Sequence, residues 1–146
     1  MTHVVDAARF PVGFNQAPSS ELPLILERAG ITGEAVTLWG TGKPYREFLY
    51  VDDLAEACVF VMENCDAEDV GEFVSIGKGD DIRIKDLAPL IKQIVGFDGE
   101  LRYDPSKPDG MPRKLLDSSR IKSFGWQPRI SLEEGIRRTY AWYLNT

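Results

Sequence analysis

Two stretches set the architecture of this 146-residue chain: WGTGKPYREFLYVDD at residues 39–53 and SKPDGMPRKLLD at residues 106–117. Both place glycine and basic residues together in turns, and the first adds aromatic residues, where a packed core does not require them. This combination suits an anionic ligand with a flat ring, because guanidinium and ammonium groups bind phosphate while aromatic side chains stack on a base. The two stretches therefore predict a nucleotide-binding site.

The composition is that of an ordinary globular chain, long enough to bury a core. Hydrophobic residues make up 43% and charged residues 27%, and the net charge is -6. We expect no nucleic-acid partner, because neutralising phosphates requires a basic face. We expect no membrane partner either, since no apolar run approaches the roughly 20 residues that cross a bilayer and residues 1–10 do not resemble a secretory signal.

The two cysteines, Cys58 and Cys65, fall on one predicted helix. Their spacing separates them by about 10 Å along the helix axis, which is too far for a disulfide. We expect two free, buried thiols, which are typical of a reducing compartment, and we therefore predict a cytoplasmic protein.

The order of elements predicts a small mixed α/β fold that lacks most of a Rossmann domain. Residues 1–20 contain proline and glycine without a clear period and predict an irregular N-terminal arm, while residues 21–146 predict the ligand-binding domain. Strands are predicted at residues 36–39, 47–51, 73–76 and 101–103, and helices at residues 22–29, 52–64, 85–95, 118–124 and from residue 132 onward.

Several residues predict where these helices begin and end. Asp52 is expected to be an N-cap, and Ser131 is expected to form a capping box with Glu134. Gly96 is expected to end the helix over residues 85–95, in which Pro89 is tolerated only near the first turn.

The two stretches, with GW at residues 125–126 and ISLEEG at residues 130–135, resemble the extended short-chain dehydrogenase/reductase superfamily. Within it they are similar to the GDP-L-fucose synthase family, which is part of the NAD-dependent epimerase/dehydratase enzymes. The similarity runs from about Val36 to the C-terminus, and residues 106–117 are its more specific part. The resemblance implies that the chain is the substrate-binding part of an NADP-dependent epimerase/reductase, with a GDP-sugar as its ligand.

The catalytic parts of that family have no counterpart in the sequence. The glycine turns at residues 40–42 and 77–79 are only G-x-G, so no NADP is expected on this chain alone, although NADP is expected for the complete enzyme. Tyr103 and Lys107 have the spacing of the family's catalytic Tyr-x-x-x-Lys pair, but Pro105 breaks the helical turn that the pair requires. The sole histidine, His3, does not match the family's acid/base histidine. We therefore predict no catalytic residues and no catalysis by the chain alone.

The resemblance implies that Arg46 and Trp39 contact the substrate. Arg46 would bind the diphosphate or the sugar through its guanidinium fork, and its simpler alternative is a surface salt bridge to Glu47 or Asp53. Trp39 would stack on the nucleotide or line the sugar pocket, and its alternative is a core aromatic at the end of a strand.

Four further residues carry weaker implications. Lys114 matches a position that reaches the nucleotide, with Arg113 beside it, in a loop that its prolines stiffen; the alternative is a solvated basic pair. Asp117 would accept hydrogen bonds from ribose, or would cap the helix that begins at Ser118. Arg28 aligns with a basic substrate contact.

A pair of carboxylates, Asp52 and Asp53, would suit acid/base chemistry. At a helix start they more simply cap the helix and meet its positive dipole.

Three hypotheses about function follow. The chain is the GDP-sugar-binding part of an epimerase/reductase whose Rossmann domain is supplied elsewhere, with a Rossmann-domain partner or self-association through the domain interface. Alternatively, it is a non-catalytic module that binds a nucleotide-sugar or a protein. In the third hypothesis, UDP or dTDP replaces GDP, because residues 39–53 are shared across those enzymes.

Overall fold

The computed structural model describes residues 35–145, and within them it confirms the small mixed α/β fold. The predicted arm at residues 1–20, the helix at residues 22–29 and Arg28 lie outside the described residues. In chain order the elements are β1 (Val36–Trp39), β2 (Tyr45–Arg46), α1 (Val51–Asn64), α2 (Ala67–Val70), β3 (Ile82–Arg83), α3 (Ile84–Val95), β4 (Leu101–Asp104), β5 (Arg113–Lys114), α4 (Ser119–Ser123) and α5 (Leu132–Leu144).

The strands form two small sheets. In one sheet β1 pairs in parallel with β4, from Val36 opposite Leu101 to Trp39 opposite Asp104. In the other, β2 is the central strand, antiparallel to β3 and parallel to β5. Because β2 comes from residues 39–53 and β5 from residues 106–117, this second sheet joins the two stretches that the sequence singled out.

Two hydrophobic clusters flank the segment that follows β2. Leu49 belongs to the first cluster, with Ala57, Ile121 and Trp126. Phe48 packs against the second cluster, whose buried members are Leu87, Ile91 and Ile136. Neighbouring residues of an extended segment point to opposite sides, so residues 48–49 connect the two clusters and fix the direction in which β2 leaves them.

The helices over residues 52–64 and 85–95 are confirmed to within a residue. Gly96 ends α3 in the left-handed conformation, with φ 71°, and the amide of Phe97 returns to the carbonyl of Lys92 at 3.0 Å. This is the hydrogen-bond pattern of a glycine C-cap. Pro89 lies in the second turn of α3 rather than the first, and the helix continues through it, because burial of Leu87 and Ile91 outweighs one lost backbone hydrogen bond.

The expected N-cap of α1 is wrong. The helix begins at Val51, Tyr50 is the N-cap residue without a side-chain hydrogen bond, and Asp52 lies in the first turn. The strand predicted at residues 47–51 is wrong as well, because the residues that pair with β3 and β5 are Tyr45 and Arg46. The pattern indicated an extended segment correctly but placed it two residues late.

The strand predicted at residues 73–76 is absent, and Phe73 is 73% exposed. Val74 and Ile76 do pack against the first cluster. An apolar run can therefore bury part of its side chains without a neighbouring strand to pair with.

Two smaller expectations are also corrected. Both cysteines are free, as predicted, but neither is buried: Cys58 is exposed and Cys65 is half-buried. Ser131 accepts a hydrogen bond from the amide of Glu134 at 3.2 Å, whereas the carboxylate of Glu134 pairs with Arg138 at 2.7 Å instead of completing the capping box.

Candidate functional site

The site forms where residues 39–53 and residues 106–117 lie side by side. The amide of Tyr45 donates to the carbonyl of Pro112 at 2.8 Å, and the amide of Glu47 donates to the carbonyl of Lys114 at 3.2 Å. These backbone hydrogen bonds attach the loop over residues 105–112 along β2. Main-chain pairing therefore brings together residues that are more than sixty positions apart in the sequence.

Asp109 clamps this loop onto the turn between β1 and β2. Its carboxylate accepts hydrogen bonds from the amide of Thr41 at 2.6 Å and from the Thr41 hydroxyl at 2.7 Å. The approach is so close that a Cβ at Gly40, which has φ 82°, would overlap the Asp109 carboxylate. The glycine of this turn therefore provides space for a carboxylate of the same chain.

The pKa of Asp109 reflects this clamp. The hydrogen bonds from Thr41 hold the pKa below its ordinary value, and the charges of Lys43 and Arg46 act in the same direction. A carboxyl group whose pKa is lowered by folding stabilises the fold above its ordinary pKa, and this contribution is lost as the pH falls through the lowered value. The clamp is therefore intact at neutral pH and weakens only in acid.

We expect Thr41→Val to raise the pKa of Asp109 toward its ordinary value, because the variant removes the hydroxyl donor and keeps the amide donor. Titration of the carboxyl carbons by NMR measures this shift. Asp104 is the internal control: its pKa is lowered by Ser106, and it should not change in the variant. An unchanged pKa of Asp109 would show that the Thr41 hydroxyl does not hold it.

Arg46 is the buried charge of the site, with 4% of its surface exposed. Its Nη1 donates to the carbonyls of Tyr45 at 2.6 Å and Met111 at 2.8 Å. Neither predicted salt bridge, to Glu47 or to Asp53, forms, and Arg46 pairs with no carboxylate among residues 35–145. Burial of a guanidinium without a matching anion is unfavourable unless a ligand supplies one.

A cavity of about 260 Å³ borders Arg46; its lining residues are Arg46, Phe48, Lys78, Asp80, Asp81, Ile82 and Leu132. The volume is below the roughly 300–1,000 Å³ of drug-sized ligand pockets. The cavity therefore accommodates one group of a ligand rather than a whole nucleotide-sugar. Of the predicted substrate-binding residues within residues 35–145, only Arg46 lines it.

The two basic residues of β5 lie directly beside β2. Arg113 faces Tyr45 and forms a bidentate pair with Asp81, at 2.5 and 3.2 Å, while its guanidinium lies 6.0 Å from the Tyr45 ring. The carboxylate raises the pKa of Arg113. Lys114 is the register partner of Arg46 and is half-buried. The sheet thus brings Arg46, Arg113 and Lys114 together, with Arg113 already neutralised.

Trp39 and Asp117 lie at the edges of this arrangement. Trp39 ends β1 with 38% of its surface exposed, and the ammonium of Lys107 lies 5.5 Å from its ring, so it is not a core aromatic. The carboxylate of Asp117 accepts a hydrogen bond from the amide of Ser119 at 3.0 Å. Asp117 therefore binds a backbone amide at the start of α4, as the alternative of a helix cap predicted.

Sequence reasoning did not find what two carboxylates, Asp53 and Glu47, bind. Asp53 accepts hydrogen bonds from the amides of Arg129 and Ile130, at 3.1 and 3.0 Å, rather than serving acid/base chemistry. Glu47 accepts one from Gly79 at 2.6 Å and one from Leu116 at 2.9 Å. Glycines provide the only sequence signal for Glu47, since Gly77 leaves space for its carboxylate.

We expect Gly77→Ala to destabilise the chain by about 1–3 kcal/mol, the usual range for overpacking. A Cβ at this position would lie 2.6 Å from the Glu47 carboxylate, and the φ of Gly77 is not positive, so the cost is steric. Denaturant unfolding of Gly77→Ala, Glu47→Ala and the double variant measures the coupling. Equal costs of Gly77→Ala with and without Glu47 would contradict the contact.

The described glycine turns do not fit the diphosphate of a dinucleotide. Such a group needs free amides at a turn that opens a helix. The amide of Thr41 is bound by Asp109, and the amide of Gly79 is bound by Glu47. Carboxylates of the chain itself therefore occupy both turns.

The Tyr-x-x-x-Lys spacing does not form a catalytic pair in the structure. Tyr103 lies in β4, and Lys107 follows in a turn with its ammonium directed at Trp39. Burial raises the pKa of Tyr103, with a further contribution from Asp86. A raised pKa opposes the deprotonation that such a tyrosine requires.

The sequence of this chain is similar to those of known proteins. The sequence profile of the NAD dependent epimerase/dehydratase family matches residues 8–77. GDP-L-fucose synthase 1 of Arabidopsis thaliana is 49% identical over 135 residues, covering 90% of this chain and 41% of that protein. The resemblance to this family is confirmed. GDP-L-fucose synthase of Escherichia coli (strain K12) is 40% identical, covering 90% of this chain and 44% of that protein.

Solved structures of GDP-sugar enzymes resemble the chain as well. The GDP-L-fucose synthetase of Naegleria fowleri has a TM-score of 0.77 at 27% identity, covering 88% of this chain and 39% of that one. A GDP-mannoheptose C4 reductase from Campylobacter jejuni, solved with NADP bound, has a TM-score of 0.72 at 38% identity, covering 84% and 44%.

The chain spans about two fifths of the length of the curated relatives it matches. The similarity also reaches further than the motifs indicated, because 135 aligned residues exceed the stretch from Val36 to the C-terminus.

No helix within residues 35–145 combines the length and the apolar character needed to cross a membrane. In the same part of the chain, no three or more histidine, cysteine, aspartate or glutamate side chains are grouped so as to hold a metal ion.

Proposed function

We propose that residues 21–146 form the GDP-sugar-binding part of an NADP-dependent epimerase/reductase related to GDP-L-fucose synthase. One observation carries this proposal: Arg46 is buried beside a cavity and pairs with no carboxylate among the described residues. Its Nη1 is fully engaged by two carbonyls, whereas Nε and Nη2 have no hydrogen-bond partner within residues 35–145. A diphosphate would supply the acceptors and the negative charge.

The ligand follows the loop over residues 105–112 in this proposal. The diphosphate binds Arg46 with Lys114 nearby, the ring of the nucleotide approaches Trp39, and Lys107 lies between ring and phosphate. Arg113 and Asp117 contribute to the edge of the site, and Arg28 is a further contact. The half-exposed face of Trp39 with a cation above it supports this course.

The reaction requires a Rossmann domain that holds NADP, either in the same protein or in a partner. The chain alone binds the GDP-sugar and does not catalyse. The occupied glycine turns support this division of roles. A non-catalytic nucleotide-sugar module and a UDP-sugar enzyme are the other outcomes that binding experiments distinguish.

Isothermal titration calorimetry of the chain with GDP, GDP-mannose, UDP and NADP tests the proposal. Binding of GDP and GDP-mannose, with weaker binding of UDP and none of NADP, is the expected result. Preference for UDP would move the chain to the UDP-sugar enzymes, and binding of NADP would contradict the division of roles. No binding of any of them would overturn the nucleotide-binding function of the isolated chain.

A further inference from the structure

We propose that Asp109 is a positioning residue for Arg46, acting through the loop that carries the Met111 carbonyl. For its ligand this inference rests on the function proposed above. The geometry itself stands independently, because it concerns only contacts within the chain. Asp109 forms no hydrogen bond or ion pair with Arg46 and feels its charge only at longer range, so the positioning effect acts through the loop.

The chain between Asp109 and Met111 has little freedom. Gly110 has φ 71°, a left-handed turn, and a Cβ at this residue would lie 3.8 Å from Nη2 of Arg46. One residue later, the Met111 carbonyl accepts the hydrogen bond from Nη1 at 2.8 Å. The hydrogen bonds between Asp109 and Thr41 therefore set the position of the Met111 carbonyl, two residues later in the chain.

Of the two carbonyls that accept from Arg46, only that of Met111 can move relative to the strand that carries Arg46. The other is the carbonyl of Tyr45, which belongs to the same strand and moves with Arg46. On the far side of Met111 the loop is attached by the hydrogen bond between Tyr45 and Pro112 at 2.8 Å. With the clamp gone, the loop is held only at its ends, by the turn at Asp104 and by the bond between Tyr45 and Pro112. The segment between them is then free to move, and the guanidinium loses its fixed orientation.

The expected consequence is a weaker, less ordered binding site rather than an unfolded chain. Ordering a flexible side chain and its loop at the moment of binding weakens affinity by roughly fivefold to tenfold. This loss should appear in the affinity for GDP. It should also appear without any ligand, as averaging of the Arg46 guanidinium.

The test uses Asp109→Ala and Thr41→Val, with Asp104→Ala as the matched control. Asp104 lies at the start of the same loop and also accepts two hydrogen bonds from one hydroxyl residue, Ser106, at 3.0 and 2.5 Å. Asp109→Asn retains an acceptor for Thr41 and should restore part of the effect. Thermal unfolding of each variant shows whether it is folded.

Two readouts are measured on the full chain. The first is the set of side-chain N–H resonances of Arg46 in the ligand-free protein, which are sharp when hydrogen bonds stop rotation of the guanidinium. The second is the dissociation constant of GDP by calorimetry. A merely structural role for Asp109 would lower the unfolding temperature and leave both readouts of the folded protein unchanged.

We expect Asp109→Ala to broaden the Arg46 resonances and weaken GDP binding, Thr41→Val to do so less, and Asp104→Ala to do neither. Sharp Arg46 resonances in folded Asp109→Ala would overturn the proposal, as would undiminished GDP affinity. If the wild-type chain does not bind GDP, the proposed function fails, and the resonances alone decide the positioning role. If Asp109→Ala does not fold, Thr41→Val carries the test.

Discussion

Asp53→Ala is expected to lower the free energy of unfolding by about 3 kcal/mol, because hydrogen bonds to a charged acceptor contribute roughly 1.5–3 kcal/mol each. Asp53 is 3% exposed, and its two oxygens accept hydrogen bonds from the amides of Arg129 and Ile130. Removal of the carboxylate leaves both amides without an acceptor. Since small domains are stable by only about 5–15 kcal/mol, this loss is large.

The comparison with Asp52→Ala makes this prediction specific. Asp52 is the neighbouring carboxylate in the first turn of α1 but is exposed, so its removal should cost less than about 1 kcal/mol. Asp53→Asn retains one acceptor and places an amide group against the second donor, so it should fall between the two. Denaturant unfolding measures all three. A cost for Asp53→Ala no greater than that for Asp52→Ala would contradict the role of Asp53 as a backbone acceptor.

Arg46→Met is expected to weaken GDP binding by roughly 30-fold or more. Loss of a buried charged contact costs about 2–5 kcal/mol, and each 1.4 kcal/mol is a factor of ten. Methionine keeps much of the apolar stem, so the packing beside Phe48 is disturbed less than by alanine. Calorimetric titration with GDP measures the loss, and thermal unfolding confirms that the variant is folded.

Two further variants serve as a control and as an intermediate case for the effect of Arg46→Met on GDP binding. Arg83→Met removes an arginine from the adjacent strand β3, where its partner is Asp86 at 2.5 Å, and should leave GDP affinity within a factor of two or so of the wild type. Arg46→Lys keeps the charge but not the bidentate fork and should bind GDP with intermediate affinity. If Arg46→Met bound GDP with the affinity of the wild type, the proposed contact between Arg46 and the diphosphate would be contradicted.

The sequence predicted those parts of the fold that local patterns control. The helices over residues 52–64 and 85–95 have apolar periodicity over three turns, and Gly96 adds a stop signal. Strands β2 and β5 have two residues each, too short for any alternation to register, and only the pairing between distant segments defines them. The strand predicted from the apolar run at residues 73–76 was wrong for the converse reason: the local pattern is present, but no neighbouring strand pairs with it.

The candidate site divides in the same way. Arg46 was identified through its motif, but one of the carbonyls that its guanidinium binds belongs to Met111, which no local pattern connects to it. The roles of Asp53 and Asp109 depend on hydrogen bonds that span 76–77 and 68 residues, respectively. Carboxylates that bind backbone amides look identical in sequence to carboxylates that bind ligands, and only the position of the donors separates them.

The most direct test of the central claim is the location of GDP on the chain by ¹H–¹⁵N chemical-shift mapping. Binding at the proposed site predicts that the side-chain N–H groups of Arg46 shift most, together with the amides of Thr41, Gly110 and Met111. Shifts at saturating GDP that leave Arg46 unchanged would contradict the claim.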